Sequence, residues 1–168
     1  MCANSPLSAQ NVLLGEHQNQ ISLHVSQAFS QSSGLYNFFR FDLRYSQPNE
    51  FFRLPGRRSI EIFGEIAEKG RGKKDDDSSY SNMGAGISQE AGIRIYKNTY
   101  AGLGLGLYIR SKKTESIDSE LVLGERAFIG WRGKNMFTEL YLKHYSNGGL
   151  TKINSGDNYY GLAAGYAF

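Results

Sequence analysis

The sequence predicts an all-β fold: an eight-stranded antiparallel transmembrane β-barrel over residues 19–168, behind an irregular lead-in at 1–18. Three observations predict it. First, period-two alternation dominates from residue 20 onward and recurs in eight segments. Second, one face of these segments is continuously apolar, while the other mixes arginine with glutamate, aspartate, glycine and tyrosine. That polar face suits a small barrel lumen filled with side chains and ion pairs, whereas a soluble sandwich needs an apolar shared core. Third, long polar connections alternate with tight ones, as on the two rims of a membrane barrel.

The first segment, Gln20–Ser30, carries His24 on its polar face as a lumenal hydrogen-bonding residue. In the second, Leu35–Ser46, Phe39, Phe41, Leu43 and Tyr45 oppose Arg40, Asp42 and Arg44. The connection Gln47–Gly56 holds Pro48 and Pro55, is long for its rim, and is expected to fold against it. In the third segment, Arg58–Lys69, Ile60, Ile62 and Ile66 oppose Glu61 and Glu65. In the fourth, Asn82–Lys97, Ile87, Ala91, Ile93 and Ile95 oppose Ser88, Glu90 and Arg94. In the fifth, Tyr100–Ser111, Leu103, Leu105, Leu107 and Ile109 oppose glycines, Tyr108 and Arg110. The sixth, Glu120–Arg132, resists assignment because Glu125 shares a face with Ile129 and Trp131. In the seventh, Met136–Tyr145, Thr138, Leu140, Leu142 and His144 form the outward stripe, which Ser146 continues; Glu139 and Lys143 face the lumen. In the eighth, Asn158–Phe168, Tyr160, Leu162, Ala164, Tyr166 and Phe168 oppose small residues. A terminal phenylalanine with a tyrosine two before it resembles the end signature of bacterial outer-membrane proteins; the resemblance implies that membrane, and an exported chain of this kind is expected to have a signal peptide outside this numbering.

Composition narrows the function. The 168 residues include 20 glycines, 11 tyrosines and 10 phenylalanines, and the mean hydropathy is -0.45. No run reaches the roughly 18 apolar residues of a transmembrane helix. The net charge of +3 is spread along the chain, without the dense basic patch of a nucleic-acid partner. One cysteine, Cys2, excludes an internal disulfide. Metal-binding spacings such as HExxH are missing, so no cofactor is expected. Ala101–Leu107, AGLGLGL, lacks the context of a phosphate loop and reads as small lumenal residues. Asp75–Asp77 reads as a solvated loop tip. The loop cations Arg71, Lys73, Lys74, Lys112, Lys113 and Lys152 belong to the rim where anionic lipid headgroups would lie.

The chemistry concentrates before the last strand, in KHYSNGGLTKINSGDN. His144 and Ser146 project the same way with Cα atoms roughly 6.5–7 Å apart, so imidazole and hydroxyl can meet. A histidine so placed takes a serine proton as general base and returns it to the leaving group. Asn147-Gly148-Gly149 turns the chain, and the Asn147 amide or the glycine amides can receive an oxyanion.

HYSNGGL followed by INSGDN, just before the final strand of an eight-stranded barrel, resembles the lipid A 3-O-deacylases, the PagL family. The motif covers Lys143 to Asn158. The resemblance implies a metal-free serine esterase that removes the 3-O-linked acyl chain of lipid A in the outer leaflet. It implies Ser146 as nucleophile, His144 as base, Asn147 and Gly149 at the oxyanion site, and Asn154 as a supporting loop residue. One position departs: Asn158 stands where the family pattern has a glutamate orienting the histidine. An amide can hold the ring's tautomer but cannot supply negative charge to an imidazolium. The apolar stripe of Leu140, Leu142, Tyr160 and Leu162 would guide the acyl chain. The alternatives are a non-enzymatic OmpA-like structural or adhesive barrel, a soluble lipocalin-like binder, and a barrel acyltransferase; a homodimer is left open.

Overall fold

The computed structural model describes residues 19–30, 36–69, 80–114 and 116–168. The lead-in, Asp75–Asp77, Arg71, Lys73 and Lys74 lie outside them. The strands are β1 (Gln20–Ser30), β2 (Tyr36–Phe51), β3 (Leu54–Lys69), β4 (Tyr80–Tyr96), β5 (Thr99–Arg110), β6 (Leu121–Arg132), β7 (Met136–Ser146) and β8 (Asp157–Ala167). Each pairs antiparallel with the next, and β8 returns to β1, closing the barrel. Closure removes every sheet edge, which hydrocarbon requires because it cannot hydrogen-bond a bare backbone. No helix among the described residues is long and apolar enough to cross a membrane.

Alternation delivers one face to each side. Leu23, Ile60, Ile62, Ile87, Leu103 and Leu140 point outward and are exposed. Exposed Tyr96, Trp131, Tyr166 and Phe168 mark the short-turn rim, while Phe29 and Tyr160 pair near the other with ring centroids 5.9 Å apart. Such aromatic girdles sit at the two interfaces of a bilayer.

The lumen is packed rather than open. Among the described residues it buries six cations, Arg40, Arg44, Arg57, Arg110, Arg126 and Lys143, against six anions, Asp42, Glu61, Glu65, Glu90, Glu139 and Asp157. Glu90 accepts from Arg44 at 2.7 Å, Arg57 at 2.5 Å and Arg126 at 2.9 Å. Glu139 accepts from Arg57 and Arg126, both at 2.9 Å, and from the Tyr100 hydroxyl at 2.7 Å. Glu61 accepts from Arg44, Lys143, Tyr108 and Ser88, each at 2.8 Å. Buried charge survives only when paired and hydrogen-bonded in this way. His24 is lumenal as expected, 2.9 Å from Ser22 Oγ. The glycines of β5 make room for large rings: a Cβ on Gly106 would come within 2.5 Å of the Tyr108 ring.

Two expectations change. The Gln47–Gly56 connection is not a long loop. It extends β2 and β3 into a hairpin whose only turn residues are Phe52 and Arg53, at φ 50 and 64. Pro48 lies beyond the last described β1–β2 pair, Gln20 with Ser46. Arg94, expected among the packed lumenal charges, keeps that face, opposite buried Tyr100, but is exposed at the short-turn rim.

Candidate active site

β7 rises from the short-turn rim and ends at the loop rim. Its lumenal residues Phe137, Glu139, Tyr141, Lys143 and Tyr145 are buried, and its outward positions include His144 and Ser146, both half-buried. The pair therefore faces out of the barrel at the loop end. By the short-turn, long-loop asymmetry of membrane barrels that end is the external one.

His144 is held from two directions. Asn158 on β8 is its register partner, and its Oδ1 lies 2.8 Å from the ring Nδ1. A carbonyl oxygen only accepts, so Nδ1 carries the hydrogen and Nε2 presents its lone pair. Gly156, with φ +78, passes over the ring so closely that a Cβ there would sit 2.5 Å from Cε1 and 3.2 Å from Nε2. Only glycine accepts both that backbone conformation and that approach. Among the described residues the ring's hydrogen bond goes to Asn158; none links it to the Ser146 hydroxyl in this structure.

The β7–β8 loop is tied internally. Asn147 is buried; its Oδ1 accepts from Gly149 N at 2.8 Å, and its Nδ2 donates to Thr151 Oγ1 at 2.5 Å and Ile153 O at 3.0 Å. Asn147 N donates to Asn154 Oδ1 at 2.8 Å. The donors of Asn147 and Gly149 thus shape the loop here. The Asn154 amide nitrogen has no hydrogen bond among the described residues, and that residue is exposed.

The β5–β6 loop braces this one. Ile117 bridges Asn154, Ser155 N donates to Ser116 O at 2.9 Å, and Asp118 N donates to Ile153 O at 3.1 Å. Ile117 itself is buried over the top of the lumen with Tyr108, Tyr145 and Tyr159. Beneath it, Asp157 accepts from Ser116, from Thr114 at 3.3 Å and from Arg110 at 3.3 Å. Asp157 points inward and Asn158 outward, so this inner network fixes the strand position from which Asn158 reaches His144.

Two apolar grooves run over the outer wall. One, of about 610 Å³, is lined by Phe29, Phe52, Leu54, Leu142, His144 and Asn158 among others. The other, of about 720 Å³, includes Leu54, Leu140, Leu142 and Tyr160. Leu162 shares the outward face but lines neither groove. Sequence reasoning missed Phe29, the hairpin tip, and Glu125, which is exposed in the first groove. The signal was present for Glu125, a lone carboxylate in an apolar stripe.

Fold and site together define a class: an eight-stranded outer-membrane barrel with a histidine, serine and asparagine gathered outside its loop rim. Comparison with known proteins specifies it. The family model described as lipid A 3-O-deacylase (PagL) matches residues 39–167, and the chain belongs to that family. The crystal structure of the outer membrane enzyme PagL superposes with a TM-score of 0.54 at 16% identity, covering 87% of this chain and 97% of that one. Neisserial surface protein A (NspA) is similarly shaped, with a TM-score of 0.59 at 14% identity, covering 90% of this chain and 96% of that one. The search of curated proteins gave no match.

Proposed function

We propose that this protein is a serine esterase that hydrolyses the 3-O-linked acyl chain of lipid A in the outer leaflet. The observation that carries the reading is the orientation of His144: its ring faces the lipid side, fixed through Nδ1 by Asn158, with Nε2 free to accept a proton. Ser146 Oγ attacks the ester carbonyl carbon while Nε2 takes its proton. The tetrahedral oxyanion draws on the Asn154 amide, with Asn147 and Gly149 holding the loop that presents it. Collapse breaks the bond to the sugar oxygen, which leaves with the proton from His144. Water, deprotonated by the same ring, then releases a 3-hydroxy fatty acid and restores Ser146. The Ser146–His144 hydrogen bond forms when substrate is seated, as catalytic bonds commonly tighten on binding. Leu140, Leu142 and Tyr160 line the groove that receives the chain. The exposed Lys112 and Lys152 lie on the rim beside lipid A phosphates.

Mass spectrometry of lipid A from cells expressing the protein tests this. The wild type should remove one acyl chain and Ser146→Ala should not. Identical profiles from the two would leave a structural barrel, as the shape shared with NspA allows.

A further inference from the structure

Asn158 holds the ring but leaves a gap. When the serine proton arrives the imidazole becomes a cation, and the amide offers it no opposite charge. The opposite side of the ring's strand supplies one. Glu125 on β6 is the register partner of His144, as Asn158 is on β8. It points outward, is exposed, and lines the same groove as His144 and Asn158. Directly opposed residues on one face of an antiparallel pair have Cβ atoms about 4.5–5.5 Å apart. Its other outward neighbours are Leu105 across β5, and Leu123 and Ala127 along β6. The cations next to it in sequence and register, Arg126 and Lys143, point into the lumen and are spent on Glu90, Glu139 and Glu61. Among the described residues paired with or flanking Glu125 on that face, His144 is therefore the ionisable one. A carboxylate is out of place in a lipid-facing stripe unless it serves something.

We infer that Glu125 is the electrostatic partner of His144, stabilising the imidazolium formed when Ser146 is deprotonated, while Asn158 sets the ring's tautomer. The roles that one carboxylate performs in the family pattern are divided here between two strands. Glu125 is a positioning and charge-compensating residue; it does not touch the ester. The inference rests on the esterase reading.

The test uses the full chain in detergent micelles, with lipid A turnover followed against pH. Glu125→Gln should lower kcat about 10- to 100-fold with KM little changed, and displace the acid limb of the pH profile. Adding Asn158→Glu to that variant should restore most of the rate. An unchanged rate and profile in Glu125→Gln would overturn the inference, as would a loss with an unmoved profile that Asn158→Glu fails to rescue. Heat-dependent gel mobility checks that each variant folds. A second readout separates this from the esterase reading itself: the His144 ring resonances, followed by NMR in Ser146→Ala, should shift once Glu125 is glutamine. If they are unchanged, the pairing is wrong even in an active enzyme. If they shift while the wild type and Ser146→Ala leave the same lipid A, the esterase reading has failed and the proposed catalytic role of Glu125 falls with it.

Discussion

On the proposed esterase reading, replacing Gly156 with alanine should disable His144 without unfolding the barrel. The added Cβ would lie 2.5 Å from His144 Cε1, whereas carbon atoms in contact settle at about 3.5–4.0 Å. The ring must therefore give way by about 1 Å, and a misplacement of that size costs about 100-fold in rate. The backbone adds its own strain of roughly 1–3 kcal/mol, because φ +78 suits glycine. Gly149→Ala separates the two effects. It also has a positive φ, +83, but its Cβ would meet nothing within 4 Å. The assay is single-turnover release of fatty acid from purified lipid A, with gel mobility as a check on folding. Gly156→Ala should lose about 100-fold and Gly149→Ala far less. Equal losses would show that strain, not the push on the ring, governs the site; a Gly156→Ala enzyme as fast as wild type would refute the clamp altogether.

Two further predictions concern the interior. Asp157→Asn removes the carboxylate that receives Arg110, Thr114 and Ser116, so the β5–β6 loop should loosen, with faster trypsin cleavage after the exposed Lys112 and Lys113 and a slower enzyme. Unchanged cleavage would mean that the backbone pairing to Ser155 and Ile153 suffices. Glu90→Gln takes the shared anion from three guanidinium groups and should destabilise the barrel by about 3–5 kcal/mol, read as a lower urea midpoint of the folded band. A midpoint within error of wild type would contradict the importance given to the network.

Much of this was legible from alternation alone. Leu103, Leu105 and Leu107 had to face one way and Tyr108 and Arg110 the other, and the lumenal charges followed from the same parity. The prolines misled. Pro48 and Pro55 argue against a strand when pairing is assumed on both sides, yet they lie beyond the last described β1–β2 and β3–β4 pairs, Gln20 with Ser46 and Gly56 with Ala91. The left-handed Phe52 and Arg53 carry no glycine or asparagine to announce a turn. Glu125 blurred the sixth segment because a carboxylate breaks an apolar stripe. The link between Asp157, Ser116 and Arg110 joins residues far apart in sequence, and no local pattern encodes it.

The distribution of the interior charges bears on how the chain enters its membrane. Glu90 of β4 is neutralised from β2, β3 and β6, and Glu139 of β7 from β3 and β6. Glu90 and Glu139 thus draw their counter-charges from several hairpins. A single hairpin threaded into hydrocarbon would strand these ions. Assembly is therefore cooperative: the sheet must curl and its two ends must meet before, or as, its inner side leaves water.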